Sequence, residues 1–245
     1  MKRQIAAHAG ITVLAVALSG GGCIVPPQAA QCPCSTTASS TTSSGSSGAA
    51  SSTASSNGPP AVKPTGPLIS DGKSAAILDV NPPGSWFAFN DRTAKGTMSP
   101  ASTSDFPSAV VNGAVRTSGK GFADWGGGIG FNFVGADSLT PLDASEYAGI
   151  SFKASGSTPM HVGLATKATM PEFGECTKCY DHFAVDLTDL SSTPKVYTFK
   201  WSQLRSGGWG SPRASLDPHT LVGLNFTSKG AAPWDFAIHE ISFVQ

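Results

Sequence analysis

The chain has 245 residues with 16 basic and 16 acidic side chains, so its formal charge at neutral pH is zero, and only 13% of its residues are charged. No basic run is present, which excludes the cationic surface that nucleic acid would need. Abundant glycine and scattered aromatics on a weakly charged chain favour a compact β protein.

At the N-terminus, Lys2 and Arg3 precede an apolar run from Ile11 to Leu18 and a small-residue exit at Gly20, Gly21 and Gly22. That run is too short to cross about 30 Å of hydrocarbon, so residues 1–22 read as a secretory signal, and export is expected. A cysteine directly after such a signal resembles the bacterial lipoprotein pattern, which implies a lipid anchor at Cys23 and a place on the cell envelope. The leucine that this pattern sets three residues before the cysteine is missing, the nearest being Leu18. Ordinary cleavage after Ala30, giving a freely secreted protein, therefore stays open.

In residues 35–57, 16 of 23 positions are Ser or Thr and none is charged. With almost no apolar surface to bury, nothing offsets the entropy of ordering this stretch. Residues 23–66 are accordingly expected to form a disordered tether with an end-to-end reach of roughly 35 to 40 Å. Pro59, Pro60 and Pro64 stiffen its end. Cys32 and Cys34 lie too close in sequence for an unstrained mutual disulfide, so free or intermolecular thiols are open there.

Residues 67–245 are long enough for one domain, expected as a monomer. Alternation with period two marks half-buried strands in "GISFKA" (Ile150 and Phe152 inward), "MHVGLA" (Met160, Val162 and Leu164 inward), "VYTFKW" and "DFAIHEISFV". In "GIGFNF", Ile129, Phe131 and Phe133 share one face; in "VGLNF", Val222, Leu224 and Phe226 do the same. No helical periodicity longer than two turns is found. Eight or more strands joined by turn-rich pieces imply an all-β, two-sheet sandwich. The opposite faces of the last two segments carry Gly130 with Asn132, and Gly223 with Asn225. Glycine leaves room above a sheet and asparagine offers both donor and acceptor, which suits a hydroxyl-rich ligand as well as an ordinary solvated face.

The segment "ECTKCYDHF" holds Cys176, Cys179 and His182. In an oxidising compartment a disulfide between Cys176 and Cys179 is expected, closing a four-residue ring that contributes only about 2 kcal/mol. Metal ligation with His182, or a reactive thiol, remain as alternatives; the metal reading lacks a second Cys/His pair. Hydrolase chemistry needs two carboxylates roughly 5 to 10 Å apart. Glu172, Asp181, Asp186 and Asp189 lie near one another in sequence, but in turn-like surroundings.

The ordered blocks "SWFAFND", "GFADWGGGIGFNF", "YAGISFKASG", "CTKCYDHF", "YTFKWSQLRSGGWG" and "IHEISFV" resemble the jelly-roll domains of secreted bacterial lipoproteins related to family eleven carbohydrate-binding modules, in the galactose-binding-like group. The resemblance implies a jelly-roll sandwich that binds carbohydrate without catalysis. It also implies a structural calcium ion where the chain ends meet, for which this sequence offers Asp71 with Asp235 or Glu240; no other cofactor is expected.

Among the tryptophans, core packing is the default, and Trp201 is the foremost core candidate. Trp125 and Trp209 stand beside glycines in connecting segments, where an indole can stack on a sugar ring. The expected ligand surface comprises Asp124, Trp125, Asn132, Tyr180, Asp181, His182, Arg205, Trp209 and Asn225. Asp181 and His182 have a structural alternative, in which they pin the disulfide loop by pairing with Arg205 or backbone amides. Beside carbohydrate binding stand two other readings, an envelope interaction domain without a sugar site and a small glycoside hydrolase.

Overall fold

The computed structural model describes residues 59–136, 140–213 and 215–245. The leader, Cys23, Cys32, Cys34 and the tether up to residue 58 lie outside the described residues.

The described residues form twelve strands: β1 Leu68–Ser70, β2 Trp86–Asn90, β3 Thr97–Ser99, β4 Val110–Val111, β5 Ala114–Lys120, β6 Gly127–Asn132, β7 Gly149–Gly156, β8 Met160–Thr166, β9 Phe183–Leu187, β10 Lys195–Lys200, β11 Leu221–Ser228 and β12 Trp234–Val244. One sheet has five strands in the order β2-β6-β11-β8-β9. The other has seven, in the order β10-β7-β12-β5-β3, with β1 on β12 and β4 on β5. All ladders are antiparallel. The expected all-β sandwich is the fold of the molecule, and the helical segments among the described residues are short 3-10 turns.

The inward residues of the alternating strands meet between the sheets in one aromatic-rich layer that includes Trp86, Phe131, Phe133, Phe152, Phe226, Phe236 and Phe243. Phe226 sits near its centre, with ring centroids 6.3 Å from Trp86 and 5.5 Å from Phe152. The enclosed indoles are Trp86 and Trp234. Trp201, expected in the core, instead lies half-buried at its margin and donates its indole N–H to the Tyr147 carbonyl at 2.7 Å. A sequence period cannot distinguish a strand centre from the 3-10 turn that Trp201 begins.

Two bulges modify the expected faces. A register shift between Leu221 and Gly223 on the β8 side puts Leu221 in the core cluster, which Val222 does not join. A second shift, between Ile238 and Glu240, lets Phe236, Ile238, Ile241 and Phe243 all point inward although the period breaks at His239. The folded unit also starts earlier than residue 67: Val62 exchanges backbone hydrogen bonds with Pro141 and Asp143 and packs on the core.

Removing the central ring tests the weight of this layer. Phe226→Ala is expected to cost about 3–5 kcal/mol of unfolding free energy, read by chemical denaturation of the domain.

Candidate functional site

The five-stranded sheet turns its outer face away from the core, and pairing sets the residues of that face in rows. Phe87, Gly130, Asn225, Gly163 and Ala184 lie side by side across β2, β6, β11, β8 and β9. The neighbouring row reads Phe89, Gly128, Thr227, His161 and Asp186. Register also sets Asn132 opposite Gly223.

Glycine lets side chains pack close on this face. A Cβ at Gly130 would stand 2.3 Å from Asn225 Oδ1 and 2.9 Å from the Phe87 ring, so both side chains fill the space its absence leaves. A Cβ at Gly163 would meet His182 Cβ at 3.5 Å and His161 Nε2 at 3.9 Å. Asn225 Oδ1 is buried, and among the described residues it has no hydrogen-bond partner. A buried acceptor without a partner costs stability.

Along the β2 edge runs a strip of rings. Phe87 and Phe89 have centroids 5.8 Å apart, and Trp125 stacks on Phe89 at 5.9 Å with 26° between planes. Trp125 is 40% exposed, so one face of its ring is free to stack. Its loop is held by Asp91, whose only mark in the sequence is that of an acid at a strand end. Asp91 accepts the backbone N–H of Thr93 at 2.9 Å, of Asp124 at 2.9 Å and of Gly126 at 3.0 Å. Burial opposes ionisation of Asp91, but the hydrogen bonds from Thr93, Gly126 and Asp124 outweigh it and hold the carboxyl below its ordinary range.

The β9 edge repeats the device. Asp181 is buried and accepts the N–H of Gly207 at 2.7 Å, of Gly208 at 2.9 Å and of Gly210 at 2.9 Å. The structure thus corrects its expected place among ligand contacts: its acceptors are occupied by the loop that carries Trp209. That indole is 59% exposed. Ser211 Oγ accepts from Thr177 and Lys178 N–H, tying the same loop to the Cys176–Cys179 disulfide, whose sulfurs are bonded. Metal ligation by these cysteines and a free thiol are thereby removed.

The other expected contacts divide. Asp124 is exposed next to Trp125. Tyr180, 43% exposed, meets the His182 ring edge-on at 6.2 Å. Asn132 is buried and donates to the Ala136 carbonyl at 3.2 Å. Arg205 is exposed and donates from Nη1 to the carbonyls of Ser202 and Leu204, pairing with neither Asp181 nor His182. His161, which sequence reasoning passed over, joins the outer face with its Nδ1 2.7 Å from Asp186 Oδ1.

Pairing of β1 with β12 sets Ser70 opposite Ile241, which brings Asp71 beside Glu240, whereas Asp235 lies five residues away from Glu240 along the strand, on the order of 15 Å. Asp71 accepts from Lys73 N–H and Asp235 from the Ser157 hydroxyl. Among the described residues no three His, Cys, Asp or Glu side chains form a ligand set. Of the acids considered for hydrolysis, Asp186 pairs with His161 and Asp189 with Lys195.

No protein-family model matches the chain, and no curated protein matches it. Solved structures give distant likenesses. A family 11 carbohydrate-binding module from Clostridium thermocellum, in complex with a β-1,3-1,4-mixed-linked tetrasaccharide, is 17% identical with a TM-score of 0.49, covering 74% of this chain and 96% of that one. The family 30 carbohydrate-binding module of the cellulosomal cellulase Cel9D-Cel44B from the same organism is 13% identical with a TM-score of 0.34, over 73% and 92%. An arabinose-bound α-L-arabinofuranosidase is 12% identical with a TM-score of 0.30, and 26% of that chain is covered. Identities and scores of this size transfer no ligand.

Two measurements check this geometry. Asp91→Ala is expected to accelerate amide exchange at residues 124–126 and Asp181→Ala at 207–210, each lowering stability by about 1–3 kcal/mol as several N–H groups lose a charged acceptor. Burial first, and then the neighbouring His161, push the His182 imidazole down to about 4, with Asp181 opposing. A folded-state value below the ordinary 6.5 means that the unfolded chain takes up the proton first. Stability is therefore expected to fall as pH drops from 6.5 toward 4, and His182→Gln to flatten that slope in melting curves.

Proposed function

We propose that residues 62–245 form a non-catalytic carbohydrate-binding domain whose ligand lies on the outer face of the five-stranded sheet. The observation that carries this reading is the pair of exposed indoles at the two edges of that face, Trp125 stacked on Phe89 and Trp209 on the loop that Asp181 fastens. A pyranose has an apolar C–H face for such a ring and hydroxyls for the polar groups beside it. Trp209 and Tyr180 on the β9 edge would extend the contact to a chain of several sugars. The leader and Cys23 would then place the domain on the outside of a membrane, with the Ser/Thr-rich segment as its tether, a point that intact mass of the mature protein decides.

A glycan array tests the reading. Saturable binding to at least one glycan is expected, weakened about tenfold or more in Trp125→Ala, which corresponds to about 1.4 kcal/mol or more. Trp209→Ala is expected to weaken long oligosaccharides more than short ones. No binding across plant, fungal and bacterial glycans would favour an envelope interaction domain, and turnover of any polymer would favour a hydrolase.

A further inference from the structure

Independently of the face that carries the exposed indoles, we infer that the outer face of the seven-stranded sheet holds a second ligand site, for a sugar bearing one oxyanion, carboxylate or sulfate.

The site is a depression built by register. Arg116, Ala237 and Ser155 lie side by side across β5, β12 and β7. Their alternation turns them away from the core cluster, which none of them joins, yet Ala237 is 2% exposed and Ser155 7%. What shields them stands outside the sheet. On one side is the segment 190–194 between β9 and β10, held by the Gly156 N–H, which donates to the Ser191 carbonyl at 2.9 Å. On the other are Arg116 and His239. His239 reaches this face because the bulge between Ile238 and Glu240 adds a residue to β12, and its Nε2 stands 3.1 Å from Ser155 Oγ. The walls enclose about 600 Å³, within the range of small-molecule sites.

The lining sets the chemistry. Arg116 is exposed and presents five N–H donors in a fork that fits the edge of a carboxylate or sulfate. Among the described residues it forms no ion pair. Lys153 lies one row further along, but Glu240 is its cross-strand neighbour and offsets its charge, so the guanidinium is the anchor. His239 reports the sign of the local potential. Burial first, and then the charges of Lys153 and Arg116, hold its imidazole below the ordinary value; a hydrogen bond to the Gly113 backbone opposes them, and no carboxylate does. The acid of the lining, Asp235, stands diagonally from Arg116 in register and accepts the Ser157 hydroxyl. The hydroxyls of Ser155 and Ser192 complete a polar wall. An inorganic anion would match the guanidinium and leave most of the volume unused. A neutral sugar would fill the volume and leave the guanidinium unmatched. A sugar with one acidic group uses both, its oxyanion on Arg116 and its hydroxyls on Asp235 and the serines.

The experiment is an amide chemical-shift titration of the purified protein at pH 7 with glucuronate, glucose 6-sulfate, glucose and inorganic sulfate, on wild type, Arg116→Gln and Trp125→Ala, with melting curves to check that both variants fold. At least one acidic sugar is expected to shift the amides of residues 155–157, 190–192 and 235–239 saturably, binding at least tenfold more tightly than glucose or inorganic sulfate. Glucuronate alone marks a carboxylate site and the sulfate ester alone a sulfate site; either result, or both together, supports the inference. Arg116→Gln is expected to weaken this binding at least fivefold and Trp125→Ala to leave it unchanged. Glucose or inorganic sulfate bound as tightly as the acidic sugars, binding unchanged in Arg116→Gln, binding weakened in Trp125→Ala, or no shift at these residues would overturn it. Shifts confined to residues 87–89 and 125 would overturn it and support the indole-bearing face, so the two readings fail separately.

Discussion

The molecule depends on burying one layer of aromatic rings between two antiparallel sheets. Each strand supplies that layer from alternate positions, so its other positions are released to the outside. Where the layer needs an extra inward residue, the backbone bulges instead of abandoning the ring, as at His239 in β12. The outer face of the five-stranded sheet is thus a by-product of the core. Once Ile129, Phe131, Leu224 and Phe226 are committed inward, Gly130, Asn132 and Asn225 have no choice of side.

A sheet face edged by loops keeps its shape only if those loops hold still. Here the two rims are fixed by the same means, a carboxylate at the end of a strand that accepts backbone N–H groups from a glycine-containing loop, two at Asp91, which also takes the Thr93 N–H of its own turn, and three at Asp181. Charge-assisted bonds of this kind are stronger than neutral ones, and they fasten a loop without adding bulk above it. Each fastened loop presents an exposed indole. Ring position is consequently set by Asp91 on one edge and by Asp181, aided by the disulfide and Ser211, on the other.

Between the rims, chemistry is distributed asymmetrically. The β2 side carries rings; the β8–β9 side carries the imidazoles of His161, beside Asp186, and His182, beside Thr169.

The sequence by itself determined the strands β6, β7, β8, β10, β11 and β12, inward residues of four of them, the sandwich and the disulfide, because period-two alternation and cysteine spacing are local facts. It also singled out Trp125, Trp209 and Asn225, since glycine neighbours and a polar outward position are visible without coordinates. Register, by contrast, is a long-range outcome of packing. Only the tertiary structure could put Asn225 against Gly130 and Gly163, bring His161 to His182, move Trp201 to the margin of the core and Trp234 into it, and spend Asp181 and Arg205 on backbone groups. Those assignments depend on which loop amide or strand arrives opposite a side chain, and residues 26 to 35 positions apart meet in this fold for reasons no short window of sequence contains.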